Sequence, residues 1–250
     1  MTATTLLPRL DWLSRLRTIM VLRPGQRVVH VPGIGVSVSR RAVASAAADW
    51  WLVTGKTCVA AFQPKGAASL AASYVNLANP GTYDVAPGVA PTLAAGGWLG
   101  NGSAYLVLPL LIDARTYTIL CRFASVNSNE RLFGVVAANH FEVRPYYPAT
   151  DHCEYRTGPA GTTLVAPRIS TGVVGMAANN LYRNGASDGT GPLATAGATI
   201  QMYVLSAWTG TMPGGLRGTM NGGTIAALVV YSDTLTAPQV ATVSAAMAAL

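Results

Sequence analysis

From residue 104 to 231 the chain is cut into short apolar runs, each bounded by Gly, Asn, Pro or Ser. The runs predicted as strands are 104–110, 116–124, 131–137, 140–146, 162–167, 172–178, 180–183, 199–205 and 224–231. Strands at this spacing, with turn residues between them, imply an antiparallel sandwich or barrel. No helix-length periodic segment separates them, which argues against a parallel α/β sheet. The most apolar run, 224–231, follows the turn Asn221-Gly222-Gly223 and stops at Ser232-Asp233. Thr236 is placed to cap a helical turn opening at Ala237-Pro238, where the missing proline N–H is harmless. Upstream, the pattern predicts a strand at 58–61, a helical turn within 66–73 and a tight turn at Asn79-Pro80-Gly81. Ile119, Leu228 and Val230 are expected in the core.

The first 48 residues have a different character. Leu6, Leu10, Leu13, Leu16 and Met20 recur every three or four positions, the spacing of a short amphipathic helix with Arg15 and Arg17 on its polar side. Residues 26–31 and 34–39 alternate between Pro-Gly turns and predict a hairpin, followed by an alanine-rich connection at 42–48. The domain boundary is therefore set at 48, giving an arm of 1–48 and a β domain of 49–250 that opens on Asp49-Trp50-Trp51. Charge divides at the same place. Arg9, Arg15, Arg17, Arg23, Arg27, Arg40 and Arg41 face Asp11 alone, so the arm holds six of the chain's seven net positive charges. These arginines are interleaved with apolar residues, which favours packing on protein over a nucleic-acid tail. Leu10, Leu13, Arg15, Leu16, Arg17 and Arg23 are the candidate assembly residues. Only 11% of the chain is charged, against about 25% in ordinary soluble domains, as expected of a surface covered by other subunits. The three cysteines, Cys58, Cys121 and Cys153, have no metal-ligand spacing. No apolar run is long enough to span a membrane, and the N-terminus lacks the layout of a signal peptide. Synthesis in a cytoplasm is therefore expected.

Four segments together resemble a known fold family. They are Leu99-Gly100-Asn101-Gly102-Ser103-Ala104-Tyr105-Leu106; Thr116-Tyr117-Thr118-Ile119-Leu120-Cys121-Arg122-Phe123; Asn180-Leu181-Tyr182-Arg183-Asn184-Gly185; and the stretch from Asn221 to Val240. In this order they resemble laminin G-like domains of the concanavalin A-like jelly-roll superfamily, with Leu99 where an aromatic residue is usual. Gln63-Pro64-Lys65-Gly66-Ala67 is similar to the opening of such modules in bacteriophage and prophage proteins. The resemblance implies an all-β jelly-roll sandwich behind an N-terminal helix/hairpin arm. It also implies a non-enzymatic virion structural protein, a capsid-associated, decoration or tail component, joined to other virion subunits and to copies of itself through the arm. The alternative it implies is a carbohydrate-binding module of a receptor-binding or adhesion protein, taking a host-surface glycan.

The residues that could carry chemistry are few. Glycosidases of this superfamily place two glutamates two residues apart on one strand, so that both carboxylates share a face. Here Glu130, Glu142 and Glu154 are twelve residues apart, and no such pair is expected. Asp151-His152-Cys153-Glu154 sets a cysteine beside a histidine, yet neighbours on an extended chain point to opposite faces, and the stretch reads as a polar loop. His30 and His140 have no such partners nearby. Asp84, Asp151 and Asp188 fall in predicted loops, where the family can bind calcium; single scattered carboxylates are a poor match for a cation needing six to eight oxygens. No other cofactor and no metal site are expected. For a glycan, the aromatic candidates are Tyr146, Tyr147 and Trp208, with ordinary packing as the competing explanation.

Overall fold

The computed structural model describes residues 49–126, 128–135, 141–158, 162–165, 167–197, 201–208 and 215–250; of Trp208 and Arg217 it describes the backbone alone. The predicted arm, with its helix, hairpin and assembly residues Leu10, Leu13, Arg15, Leu16, Arg17 and Arg23, lies outside the described residues, as does His140. Trp50 to Leu250 forms one compact unit.

In chain order the first elements are β1 (Cys58–Phe62), α1 (Leu70–Ser73), β2 (Ala86–Val89), β3 (Thr92–Ala94), β4 (Gly97–Asn101), β5 (Tyr105–Leu108) and β6 (Thr118–Ala124). Next come β7 (Phe133–Val135), β8 (Phe141–Tyr147), β9 (His152–Arg156), β10 (Thr162–Val165), β11 (Gly172–Ala177), β12 (Asn180–Arg183) and β13 (Ala186–Thr190). The chain closes with β14 (Met202–Val204), β15 (Ala207–Trp208), β16 (Leu216–Arg217), β17 (Asn221–Tyr231) and α2 (Ala237–Ala249). Among the described residues these strands form two sheets. The first runs β13-β12-β11-β6-β17-β4-β3, with β1 also on β17. The second runs β10-β9-β8-β7-β14-β5-β2, with β15 and β16 attached beside β7. Apart from one parallel bridge between Trp208 and Val135, the pairings are antiparallel. The antiparallel β-sandwich expected from the turn spacing is therefore the fold.

β17 is central because both its faces and both its edges are used. β6 lies along one edge, while β4 and then β1 share the other. On its inner face Ile225, Leu228 and Val230 join Phe62, Trp98 and Ile119 between the sheets, all at most 1% exposed. On its outer face Ala227, Val229 and Tyr231 meet Val240, Val243 and Met247 of α2. A strand buried on both faces must read as a nearly unbroken apolar run, as 224–231 does. The C-terminal helical turn expected after Thr236 is in fact a helix of 13 residues. Its apolar positions fall three and four apart and need a sheet to cover, which is where its stability comes from.

Two further expectations are corrected. Residues 99–106, which the resemblance matches to one early strand of the family, form no single strand, because β4 and β5 belong to opposite sheets. The crossing is made at Asn101, whose Oδ1 accepts from the backbone N–H of Ser103 (3.0 Å) and Ala104 (2.8 Å). Such a side-chain turn competes with strand continuation. The polar stretch 151–154 is no loop either: residues 152 onward form β9, with Cys153 and Glu154 buried.

Candidate functional site

α2 covers the outer face of the first sheet, and a different arrangement occupies the outer face of the second. Along β8, Phe141 and Val143 enter the inter-sheet core, so Glu142 and Arg144 take the opposite face. Along β9, Cys153 and Tyr155 enter the core, so Glu154 and Arg156 take the opposite face. The antiparallel register sets Glu142 across from Arg156 and Arg144 across from Glu154. Arg131, just before β7, joins them. Its Nε donates to Glu142 Oε2 at 2.7 Å. Arg156 Nε lies 3.1 Å from Glu142 Oε1 and 3.1 Å from Glu154 Oε1. Arg144 pairs with Glu154 and also donates to the Asn129 side-chain oxygen. Three guanidiniums thus surround two carboxylates.

The cluster is deeply set. Glu142 is 0% exposed and Glu154 1%, Arg131 5% and Arg144 4%. Burial, with the like charge of Arg131 adding to it, lowers the Arg144 guanidinium from 12.5 to about 10. Above the cluster lies a cavity of about 530 Å³, walled by the three arginines with Asn129 and Tyr147. Leu216 and Gly218 complete its rim. Gly218 has φ +54°, and a Cβ there would strike the Arg131 guanidinium and come within 2.7 Å of the Asn129 carbonyl oxygen. Glycine is what lets the β16 segment close over Arg131, whose N–H donates to the Gly218 carbonyl at 2.8 Å.

The aromatic candidates separate. A register shift in β8 between Arg144 and Tyr147 brings the Tyr147 ring under the Arg144 guanidinium, 4.2 Å from ring centroid to Cζ. Tyr147 therefore lines the cavity. Tyr146 stacks instead with Arg168, at 4.1 Å, and Arg168 reaches the exposed Asp151. Trp208 pairs by backbone with Leu216 at the rim, while its side chain lies outside the described residues. A second aromatic pair, unforeseen in the sequence, lies on the same sheet face. Tyr105 and Tyr203 stack with centroids 5.8 Å apart. Tyr203 sits opposite Gly134, and Gly134 opposite Glu142, so one row across the sheet joins the rings to the charged cluster.

The structure also brings together what the linear spacing kept apart. Glu142 and Glu154, read as no pair, face the same arginine from neighbouring strands. The signal was present as a repeated Glu-x-Arg, Glu142-Val143-Arg144 and Glu154-Tyr155-Arg156. Folded into a hairpin, that repeat sets each Glu opposite an Arg. Glu130 stands apart and accepts from the Ser128 hydroxyl at 2.8 Å.

The remaining candidates are engaged elsewhere. Cys153 is buried and its thiol is raised to about 12 by desolvation, while the His152 ring meets the Thr150 carbonyl. The strand's alternation keeps them apart. Asp84 accepts from the backbone N–H of Asn76 and Gly81. Asp188 is held by Arg183 and by the Tyr155 hydroxyl. Among the described residues no three His, Cys, Asp or Glu side chains gather as a metal site. No described helix is long and apolar enough to cross a membrane.

No protein-family model matches this chain, and no curated protein matches it. Solved structures do. Domain 4 of AbnA, a GH43 extracellular arabinanase from Geobacillus stearothermophilus in complex with arabinotriose, matches with a TM-score of 0.50 and 15% identity, over 76% of this chain and 98% of that one. Trypanosoma rangeli sialidase in complex with sialic acid matches with a TM-score of 0.51 and 14% identity, over 74% of this chain. A mutant of HCR/D matches with a TM-score of 0.50 and 10% identity, over 76% of this chain. The match spans only 32% of the sialidase chain and 51% of HCR/D. At such identities the likeness is one of fold.

Proposed function

We propose that this chain carries a carbohydrate-binding module, and that its binding site is the arginine-lined cavity on the outer face of the second sheet. The observation that carries this reading is the convergence of Arg131, Arg144, Arg156, Asn129 and Tyr147 on one cavity of about 530 Å³. That volume falls within the range of small-molecule sites. A ring face and fixed polar donors are the two things sugar recognition needs. Sandwich neighbours in complex with arabinotriose and with sialic acid support glycan binding over the virion-subunit expectation. Within the sandwich class, the four ordered motifs favour the laminin G-like type; they fall on β4 with β5, on β6, on β12 and on β17 with α2.

The module is proposed to bind without catalysis. Glu142 and Glu154 form a cross-strand carboxylate pair, but both are buried beneath the arginines that hold them. A glycosidic oxygen in the cavity meets guanidinium before carboxylate.

The test is glycan binding by the full chain and two tyrosine variants, read on a broad glycan array and then by calorimetry. Tyr147→Ala is expected to weaken binding by about 1–3 kcal/mol, the loss of an anchoring aromatic. Tyr146→Ala, which disturbs only the stack with Arg168, is expected to leave affinity within about 0.5 kcal/mol of the parent. An array on which nothing binds, or equal losses in the two variants, would refute the assignment.

A further inference from the structure

We infer that the saccharide this cavity takes is acidic, and that an oxyanion substituent of the sugar, a carboxylate or a sulfate, docks on Arg131, Arg144 and Arg156. The inference rests on the carbohydrate-binding reading above and names its ligand class.

The hydrogen-bond inventory of the cavity supports this. A guanidinium has five N–H donors and no acceptor. Arg131 and Arg156 meet the two glutamates through Nε. Among the described residues, no acceptor is paired with the terminal nitrogens of either. Arg144 Nε is buried and likewise has no partner there. Glu142 Oε1 and Glu154 Oε2 also have no hydrogen-bond partner among the described residues, but both glutamates are ion-paired with the arginines and only 0% and 1% exposed, and the Asn129 side-chain oxygen is engaged by Arg144. The Asn129 amide adds further donors to the same wall. The cavity wall therefore presents guanidinium and amide donors, with the two carboxylates buried behind them.

A neutral sugar hydroxyl gives a hydrogen bond as well as receiving one, and it meets donors in excess of the acceptors it can reach here. An ionised oxyanion receives only, so it matches. Charge points the same way, since three guanidiniums against two carboxylates leave one positive charge uncompensated. Burial and the like charge of Arg131 already hold Arg144 below its ordinary range, and an anion would supply the missing counter-charge. Such charge-assisted bonds are the stronger kind, and a planar fork suits a carboxylate or sulfate edge. The Tyr147 ring beside Arg144 then receives the sugar body.

The experiment titrates the full-length protein with three matched oligosaccharides: one bearing a uronic acid, the same one with its carboxyl reduced to the alcohol, and a sulfated neutral counterpart. The acidic form is expected to bind about ten-fold tighter than its reduced twin. That advantage should shrink as salt rises from low to several hundred millimolar. Preference for the uronate or for the sulfated sugar distinguishes the two sources of the oxyanion, and either supports the inference. Arg156→Gln, at the most exposed arginine of the three (22%), is expected to abolish the preference for the acidic form over its reduced twin. Should that variant fail to fold, the comparison of acid with reduced twin on the unaltered protein still decides. Equal affinity for acid and reduced forms overturns the inference while leaving glycan binding intact. Acetate or inorganic sulfate binding as tightly as the acidic sugars also overturns it, in favour of a simple anion site. Binding of no saccharide at all overturns the carbohydrate-binding reading itself.

Discussion

Glu142 has no exposed surface, and its two oxygens are held by Arg131 and Arg156 at 2.7 and 3.1 Å. Removing one partner of such a set leaves largely buried guanidiniums without their counter-charge. Glu142→Ala is therefore expected to destabilise the fold by about 3–5 kcal/mol. Asp113 and Arg115 make as short a contact, 2.6 Å, but at the surface, with side chains 27% and 45% exposed. Arg115→Ala is expected to cost no more than about 1 kcal/mol. Urea unfolding of the two variants beside the parent checks the contrast, and similar losses would mean that water reaches the Glu142 cluster. The same residue-scale logic explains Asn76, a buried amide with all its bonding positions used. Its Oδ1 accepts from Ala61 and Ala78, and its Nδ2 donates to Val59 and Thr82. One side chain thereby ties β1 to the loop before β2, leaving Asp84 to accept the Asn76 N–H.

At the scale of elements, α2 depends on what it touches. It has no acidic residue in its first turn and no basic residue in its last, so local electrostatics do little for it. The Gln239 side chain accepts from the Thr236 N–H at 2.9 Å, closing the N-terminal end. At the other end the sheet itself supplies the missing cation: Arg122 of β6 donates to the Met247 carbonyl at 2.6 Å. Val243 and Met247 bury themselves against Ala227, Val229 and Tyr231. Packing should therefore outweigh capping. Met247→Ala is expected to lower stability by about 2–5 kcal/mol, and Gln239→Ala by about 1 kcal/mol. Thermal unfolding followed by circular dichroism ranks the two, and the reverse order would mean that α2 is held by its cap.

For the whole molecule, the two apolar layers both lie within Trp50 to Leu250, one between the sheets and one beneath α2. Trp50 to Leu250 forms a compact unit by itself. A chain of 49–250 is therefore expected to fold alone, with a β-type far-UV spectrum and a single cooperative transition. Loss of that transition on truncation would show that the arm completes a core. The topology also makes the last strand indispensable. β1 pairs with β17, joining Cys58 to Tyr231 across almost the whole domain. Such distant pairing must wait for loop closure and predicts slow folding, milliseconds to seconds rather than microseconds.

Strand existence and the sandwich class were legible in the sequence because each depends on local pattern. Alternating apolar residues between turn formers specify a half-buried strand, and 224–231 declares itself as buried on both faces. Ile119, Leu228 and Val230 followed from the same pattern. Local pattern could not reveal which strands share a sheet, so 99–106 looked continuous although Asn101 turns the chain from one sheet to the other. Nor could it reveal the length of α2, whose alanine-rich positions favour helix but are too few to hold one alone, and are fixed where Arg122 and the sheet receive them. The cavity was least visible of all. Tyr147 was recognised as an aromatic candidate, but its separation from Tyr146 follows from a register shift within β8. Glu142 and Glu154 are twelve residues apart along the chain, and they meet at Arg156 because antiparallel pairing reverses direction and brings one Glu-x-Arg against the other. Sequence alone determined which residues point out of the core; tertiary pairing decided which of them meet, because contacts across strands are set by register and not by spacing along the chain.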